Sequence, residues 1–292
     1  MNKQSITEIR GKAKIVVKDN KKYVYKKSNV HLKELFDYLT SRGFTSFPKI
    51  LESTERGFKT KYIEEKKVPT SNKEIELIKE VALLHYHTSF YKDVSKNKYK
   101  KIYERLISNI EYLKRYYEEL ITKIESEVYP SPSHYLIMRN YSVINYSLDY
   151  CIKETDAWYR LVENKTKERV CVLHNNLSMK HFIMGKKNYL ISWDNFMVDT
   201  PILDLYKLYN CNINLNFDLM FSTYNEIFPL SIEEKKLLCI IISTPFLIEE
   251  IDNEMINTEN IKKTLDYMYA TNNLVTKLNI SKEEEKVEEK GT

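Results

Sequence analysis

The feature that most constrains the fold of this chain is residues 172–196, "VLHNNLSMKHFIMGKKNYLISWDNF", which stand between long helical patterns. Val172 and Leu173 end one apolar run, and two further short apolar runs follow at 182–183 and 190–191. Short apolar runs bounded by turn residues are typical of strands. Residues 174–181 supply amides, a hydroxyl and two imidazoles but no carboxylate. The pattern predicts two short strands around a polar loop within an otherwise helical region.

The first 68 residues have the pattern of a small sheet that carries one helix. Residues 14–27, "KIVVKDNKKYVYKK", alternate around the turn-prone "DNKK" and predict a hairpin. Ser28 is suited to cap a helix from about residue 30 to 41, which is expected to end near Gly43. Two further strands are expected in "FPKILES" and "GFKTKYIEE", which "TER" separates.

From Pro69 onward the pattern becomes helical. The first helix is expected within residues 71–91, where Ser71 and Glu74 have the spacing of a capping box. A longer helix with apolar residues at steps of three and four begins near Tyr99, and one side of it must be buried. The sequence "YPSPS" then interrupts the chain before a helix over residues 140–163.

The order of these patterns predicts an α+β chain with two lobes. We expect an N-terminal β-rich lobe over 1–68 and a helical lobe over 69–280 that contains the strand-and-loop segment. Three or four helices follow that segment, up to about residue 280. The last stretch, 281–292, is highly charged and is expected to be disordered.

The composition favours a protein of a reducing compartment that does not cross a membrane. The four cysteines are widely spaced and form no CxxC pair, which indicates neither a zinc site nor a disulfide framework. The most apolar run, residues 237–248, is shorter than the roughly 20 residues of a membrane span. The N-terminus lacks the apolar core of a signal peptide. We therefore expect a cytoplasmic protein.

Charge gives a weaker indication of partners. The formal charge is +5, and seven lysines lie between Lys12 and Lys27 with only Asp19 opposing them. The interpretation we favour is a solvated hairpin face. Nucleic-acid binding stays an alternative but is not favoured, because the hairpin lacks the aromatic stacking pattern of a recognised module.

Residues 172–208, "VLHNNLSMKHFIMGKKNYLISWDNFMVDTPILDLYKL", resemble the aminoglycoside phosphotransferase and choline kinase-like branch of the protein-kinase-like fold. Within it, the chain most resembles the spore-coat-associated kinase-like proteins of Gram-positive spore formers. The resemblance is diffuse over residues 5–275 and specific only over 172–208. It implies a bilobal fold with a small N-terminal antiparallel sheet lobe and a larger, mainly helical C-terminal lobe.

The resemblance also implies that the catalytic motifs are degenerate. The family pattern is H-G-D-x-x-x-x-N, then a strand that ends in I-D-[FW]-[DE]. Here the first aspartate is replaced by Asn176, the asparagine by His181 and the strand aspartate by Ser192. In this chemistry a carboxylate orients the attacking hydroxyl, while an amide and a second carboxylate hold Mg²⁺, which prefers hard oxygen ligands. We therefore expect no catalytic residue at these three positions.

Other residues match the supporting parts of the family pattern. The resemblance implies that His174 packs beneath the loop and that Asp204 ties the loop down from the following helix. It places the nucleotide-binding lysine at Lys26 and makes Glu34 the best candidate for its helix partner. Asp194, two residues after Ser192, is a candidate metal ligand. The glycine-rich phosphate turn of many kinases is reduced to Gly11, beside Arg10, Lys12 and Lys14.

These expectations favour a catalytically inactive kinase-like protein, a pseudokinase. It would act as a binding or scaffold protein, and the resemblance points to spore coat assembly, with coat proteins as partners. No cofactor is expected for that role. The alternative is an ATP- and Mg²⁺-dependent kinase of a small-molecule hydroxyl, with an unusual metal site made by Asp194, Lys26 and His181.

Overall fold

The computed structural model describes residues 5–10, 13–27, 32–54 and 57–290. These residues form an α+β fold with a small antiparallel sheet followed by a larger, mainly helical region, so the predicted fold class is confirmed. The chain divides into two compact units: a first unit of Met1–Tyr91 with Arg169–Pro229, and a second of Lys92–Glu168 with Leu230–Thr292. The lobe boundaries at residues 68 and 280 stay a prediction.

The N-terminal sheet of the first unit has the strand order β1-β2-β3-β5-β4, with antiparallel neighbours. Its strands are β1 (Ser5–Arg10), β2 (Ala13–Lys18), β3 (Lys21–Lys26), β4 (Ile50–Thr54) and β5 (Gly57–Lys61). The predicted hairpin is β2 with β3. Its two turn residues, Asp19 and Asn20, have φ values of 51° and 56°, as a tight hairpin turn requires.

Helix α1 (Leu32–Ser41) lies between β3 and β4 in the chain. Its buried side chains, Leu32, Leu35, Phe36 and Leu39, recur at helical spacing, whereas Glu34 is exposed. The helix ends as predicted at Gly43, whose φ of +87° favours a residue without a Cβ. Ser28 and Val30, where we expected its cap and first turn, lie outside the described residues.

Helix α2 (Thr70–Thr88) packs against α6 within the first unit. The predicted capping box of Ser71 and Glu74 is wrong. Pro69 is the N-cap and offers no side-chain hydrogen bond, so the helix starts earlier and Ser71 falls in its first turn. The buried Glu74 instead accepts a hydrogen bond from the Asn216 amide, 3.2 Å away.

The region around residues 172–196 contains more strands than the two we predicted. After the short strand β6 (Phe90–Asp93) come β7 (Lys167–Leu173), β8 (Phe182–Met184), β9 (Asn188–Leu190) and β10 (Met197–Asp199). Strand β8 pairs with β9 as a small hairpin, whereas Leu173 in β7 pairs with Met197 in β10. The polar loop therefore joins two separate ladders, and helices α5 (Ile202–Cys211) and α6 (Phe217–Ile227) complete this unit.

The second unit is helical. It consists of α3 (Lys98–Glu125), α4 (Pro132–Val162), α7 (Ile232–Ser243) and α8 (Glu254–Lys290). Helix α4 starts earlier than predicted, because the Ser131 side chain caps it and a proline is tolerated in the first turn. Trp158 and Val162 of α4 pack against Ile240 of α7 in its core.

Helix α8 extends through residues 281–290, for which the charged sequence predicts disorder. Lysine and glutamate have high helix propensity, and the disorder of this stretch stays a prediction. None of the helices in the described ranges combines the length and the apolar character that crossing a membrane demands.

Candidate functional site

A cavity of about 1030 Å³ lies in the first unit, between the N-terminal sheet and the polar loop. Apolar side chains from both sides line it, among them Ile15, Val24, Phe58, Ile183 and Ile191. The cavity also brings together five of the residues that the sequence singled out: Lys26, Asn176, His181, Ser192 and Asp194. Ligand pockets in proteins have volumes of about 300–1,000 Å³, so this cavity has the size of a small-molecule pocket.

The far side of the polar loop is held by Asp204 of α5, which is fully buried. Its two carboxylate oxygens accept hydrogen bonds from the backbone amides of His174 (2.8 Å) and Asn175 (2.7 Å). Asn175 has a φ of 57°, a conformation that asparagine tolerates better than most residues. Asp204 therefore fixes the backbone at the start of the loop.

A histidine of α2 completes this support. The Nε2 atom of His85 lies 3.2 Å from Asp204 Oδ2, and its Nδ1 atom lies 2.7 Å from the Tyr224 hydroxyl of α6. Because a carboxylate only accepts, Nε2 carries the proton and donates to Asp204. The sequence pattern marks His85 only as part of a packing helix. The partners are 119 and 139 positions away in sequence, so no local pattern indicates them.

His174 is fully buried beneath the loop. Its Nε2 atom donates to the carbonyl of Ile191 at 2.8 Å, and its ring packs edge-on against Trp193 with the ring centres 4.7 Å apart. Its Nδ1 atom has no hydrogen-bond partner in the part of the chain that the structure describes. Burial lowers the pKa of His174 to about 4, against a smaller opposing effect of Asp204. The ring is therefore neutral at pH 7 and serves the loop through packing and one hydrogen bond.

The three positions that the sequence resemblance aligns with catalytic residues, Asn176, His181 and Ser192, are linked to one another. The Asn176 side-chain amide donates to the carbonyl of Ser192 at 3.2 Å, and His181 Nδ1 donates to the carbonyl of Asn176 at 2.7 Å. Ser192 adopts the left-handed conformation, with a φ of 68°. These contacts tie the loop to the segment after β9, and none of the three side chains is a carboxylate.

Lys26 at the end of β3 pairs with Asp194, with Nζ and Oδ2 2.5 Å apart. The Lys26 and Asp194 side chains are 14% and 23% exposed. The structure does not bring Glu34 to Lys26, because Glu34 points to solvent while its neighbours Leu35 and Phe36 face the core. Gly11, Lys12 and the side chain of Arg10, the other predicted phosphate contacts, lie outside the described part.

The residues of this cavity do not fit a kinase-type magnesium site. Mg²⁺ binds through hard oxygen ligands, and carboxylates supply most of its affinity in proteins. Of the described residues that line the cavity, two are carboxylates, Asp194 and Glu65, and each is already paired with a lysine. Over the described ranges, no group of three or more histidine, cysteine, aspartate or glutamate side chains is placed to hold a metal ion.

Comparison with solved structures identifies the fold. The chain is similar to an aminoglycoside phosphotransferase from Alicyclobacillus acidocaldarius, with a TM-score of 0.65 and 10% identity over 95% of this chain and 92% of that one. A choline kinase from Streptococcus pneumoniae (TM-score 0.45, 15% identity, 91% and 92% covered) and an ethanolamine kinase from Plasmodium vivax (0.40, 12%, 92% and 84%) are also similar. No family model and no curated protein matches the sequence.

The first of these similarities shows that the chain has a protein-kinase-like fold of the type found in aminoglycoside phosphotransferases. This part of the predicted resemblance is therefore confirmed. The similarity concerns the fold alone, because function belongs to sites on a fold and many activities share one architecture.

Proposed function

We propose that this protein binds a nucleoside phosphate in the cavity of the first unit and does not catalyse metal-dependent phosphoryl transfer. It would act as a pseudokinase, a binding or scaffold protein with a kinase-like fold. One observation carries the proposal: the loop positions that face the cavity carry Asn176, His181 and Ser192, and the nearby carboxylate of Asp194 is paired with Lys26. A kinase needs a carboxylate for the hydroxyl and others for the metal.

The shape and charge of the cavity support a nucleotide-type ligand. Its volume of about 1030 Å³ is suitable, and the apolar side chains that line it offer surfaces for a base. Among the described lining residues, four are lysines, whereas two are carboxylates, Glu65 and Asp194; the lysines are Lys26, Lys61, Lys73 and Lys180. The net positive lining suits phosphate groups that carry no bound cation.

The proposed biological setting is spore coat assembly, with coat proteins as partners. This part of the proposal rests on the sequence resemblance alone. A bound nucleotide would then serve as a signal or a structural support, because a ligand that prefers one conformation shifts the population toward it without chemistry.

The second candidate is a small-molecule kinase with an unusual metal site. The observation in its favour is that Asp194 and His181 line the same cavity as Lys26. It requires Asp194 to leave Lys26 and bind a metal, and it requires catalysis without a carboxylate at residue 176.

A thermal-shift titration separates these functions, because a ligand that binds only the folded state raises the melting temperature. The protein would be titrated with ATP in EDTA, in Mg²⁺ and in Mn²⁺, while ATP consumption is followed in parallel. We expect a rise in EDTA and no ATP consumption above background. A rise only with metal, together with ATP consumption, would support the kinase. No rise at millimolar ATP would overturn nucleotide binding.

Two lysine variants test whether the ligand lies in the cavity. Lys26→Gln is expected to weaken ATP binding by about tenfold or more, because it removes a charge-assisted hydrogen bond. Lys59→Gln is the matched control: Lys59 lies on the same sheet, pairs with Glu52 at 2.7 Å and is 12% exposed, but it does not line the cavity. Equal losses in both variants would place the ligand elsewhere.

A further inference from the structure

We propose that Asp194 is an internal competitor for the ligand: its carboxylate occupies the position on Lys26 that a ligand phosphate takes when it binds. This inference rests on the proposed nucleotide binding. It assigns to Asp194 a role opposite to that of a metal ligand, since a competitor weakens phosphate binding and a metal ligand strengthens it.

The geometry of the pair is the first support. Lys26 lies at the end of β3, and its Nζ atom lies 2.5 Å from Asp194 Oδ2. Both side chains line the cavity and both are partly exposed, so a ligand in the cavity can reach them. Asp194 uses one of the three N–H donors of Lys26 and neutralises its charge, so the carboxylate competes with a ligand phosphate for this ammonium group.

The backbone around Asp194 is the second support, because it holds the carboxylate in place. Asp194 lies in a short turn, Trp193–Asn195, that follows the left-handed Ser192. The buried Trp193 ring donates from Nε1 to the Leu190 carbonyl at 2.8 Å, and the Asn195 carbonyl accepts from the Asn175 side chain at 2.7 Å. The turn is thus fixed on both sides of Asp194, and its carboxylate leaves Lys26 by side-chain rotation.

Charge gives the direction of the exchange. A terminal phosphate of a metal-free nucleotide carries a larger negative charge than a carboxylate, so it replaces Asp194 at Lys26 when the ligand concentration is sufficient. A bound Mg²⁺ lowers the charge of the nucleotide, and the described residues of the cavity include no carboxylate set to hold that metal. Metal-free ADP is therefore expected to bind at least as tightly as Mg-ADP.

Two carboxylate variants provide a matched test. Asp194→Asn and Glu65→Gln each remove one negative charge from the cavity lining and each leave a lysine without its carboxylate, Lys26 and Lys73 respectively. The two original pairs have the same 2.5 Å separation. ADP would be titrated in EDTA by calorimetry against the full-length protein and both variants. We expect about tenfold tighter binding for Asp194→Asn and less than about threefold for Glu65→Gln, since Glu65 is half exposed and its charge is screened.

Each result distinguishes this inference from the proposed function. If the unaltered protein binds ADP and Asp194→Asn binds no more tightly, the competitor role is overturned and nucleotide binding stands. If Asp194→Asn loses a Mg²⁺-dependent interaction, Asp194 is a metal ligand and the inference is wrong. If neither protein binds ADP, the proposed function fails and the competitor role fails with it.

A second variant controls for two complications. One is a folding defect, and the other is a hydrogen bond from Lys26 to the new side-chain amide. The amide side chain introduced by Asp194→Asn retains an oxygen that can accept from Lys26, whereas Asp194→Ala removes that acceptor. We expect Asp194→Ala to bind ADP at least as tightly as Asp194→Asn. A melting temperature measured without ligand for each variant shows that the folded protein is being titrated, and weaker binding by a folded Asp194→Ala would contradict the inference.

Discussion

The two sides of the polar loop at residues 174–181 differ in what their side chains do. On the buried side, Asp204 accepts hydrogen bonds from two loop amides and from His85, and the side chains of Asp204, His85 and His174 are hidden from solvent. On the cavity side, Asn176 makes one side-chain hydrogen bond at 3.2 Å and is partly exposed. The buried side therefore holds a carboxylate, Asp204, whereas Asn176, His181 and Ser192 on the cavity side carry none.

The difference teaches that the shape of this loop depends on its buried side more than on the residues that face the cavity. A buried carboxylate cannot be removed without leaving amide donors unpaired, which costs a large part of the stability of a domain. A partly exposed side chain can be replaced while water satisfies the groups around it. The conformation of this loop therefore depends mainly on the contacts of its buried side.

The largest effect is expected for Asp204→Ala. It leaves the amides of His174 and Asn175 without an acceptor, and we expect it to lower the free energy of unfolding by about 3–5 kcal/mol. Urea denaturation measures this loss. The matched control is Asp194→Ala on the cavity side, whose pair is partly exposed and for which we expect a loss of about 1 kcal/mol. Similar losses in both variants would remove the distinction between the two sides.

A smaller effect is expected from the protonation of His174. Burial lowers its pKa in the folded protein from 6.5 to about 4, so below pH 6.5 the unfolded chain binds a proton that the folded protein does not. The contribution of His174 to the free energy of unfolding is therefore fully present above about pH 6.5 and is lost as the pH falls toward 4. Between about pH 7 and pH 5 this histidine alone is expected to cost about 2 kcal/mol of unfolding free energy.

The control for the pH effect is His174→Gln, which keeps a donor in place of Nε2 and does not titrate. The difference in unfolding free energy between the two pH values should be smaller in this variant by about 2 kcal/mol. His134 of the second unit has a raised pKa, because the carboxylates of Glu127 and Glu250 together outweigh its burial. It is present in both proteins, so its contribution cancels. An unchanged pH dependence in His174→Gln would show that His174 is not buried as a neutral ring.

The smallest effect is expected for Asn176→Ala. It removes one partly exposed hydrogen bond to the Ser192 carbonyl, so we expect a loss of no more than about 1 kcal/mol in the free energy of unfolding. Asn175→Ala is an informative neighbour, because Asn175 adopts a left-handed backbone and its side chain donates to the Asn195 carbonyl at 2.7 Å. If Asn176→Ala lowered the free energy of unfolding more than Asn175→Ala, the cavity side would contribute substantially to the stability of the loop.

The sequence predicted the parts of this molecule that depend on local pattern. The β2–β3 hairpin follows from the turn residues Asp19 and Asn20, and the end of α1 follows from Gly43. The capping box at Ser71 failed although its spacing was right, because the proline before the helix set a different start. The spacing of Ser71 and Glu74 alone therefore did not determine where the helix begins.

Contacts between distant residues were harder to predict. The position of Asp204 relative to the loop followed from the family resemblance, but His85 and Tyr224 have no pattern that marks them as its partners. Lys26 was predicted as the nucleotide-binding lysine with Glu34 as its partner, whereas the structure pairs it with Asp194. The helical register places Glu34 toward solvent, and the short turn after Ser192 places Asp194 against Lys26 instead. Which distant residues form such pairs depends on how the helices and strands pack together.

Phosphorus NMR of ATP mixed with an equal concentration of the protein tests binding and the absence of transfer in one sample. In EDTA, we expect the phosphate resonances to shift or broaden, and the change to be reduced by Lys26→Gln. After Mg²⁺ is added, we expect the γ-phosphate signal to keep its intensity during a long incubation. Unperturbed resonances in EDTA, or a γ-phosphate signal that decays faster than in a sample without protein, would contradict the proposal of a nucleotide-binding pseudokinase.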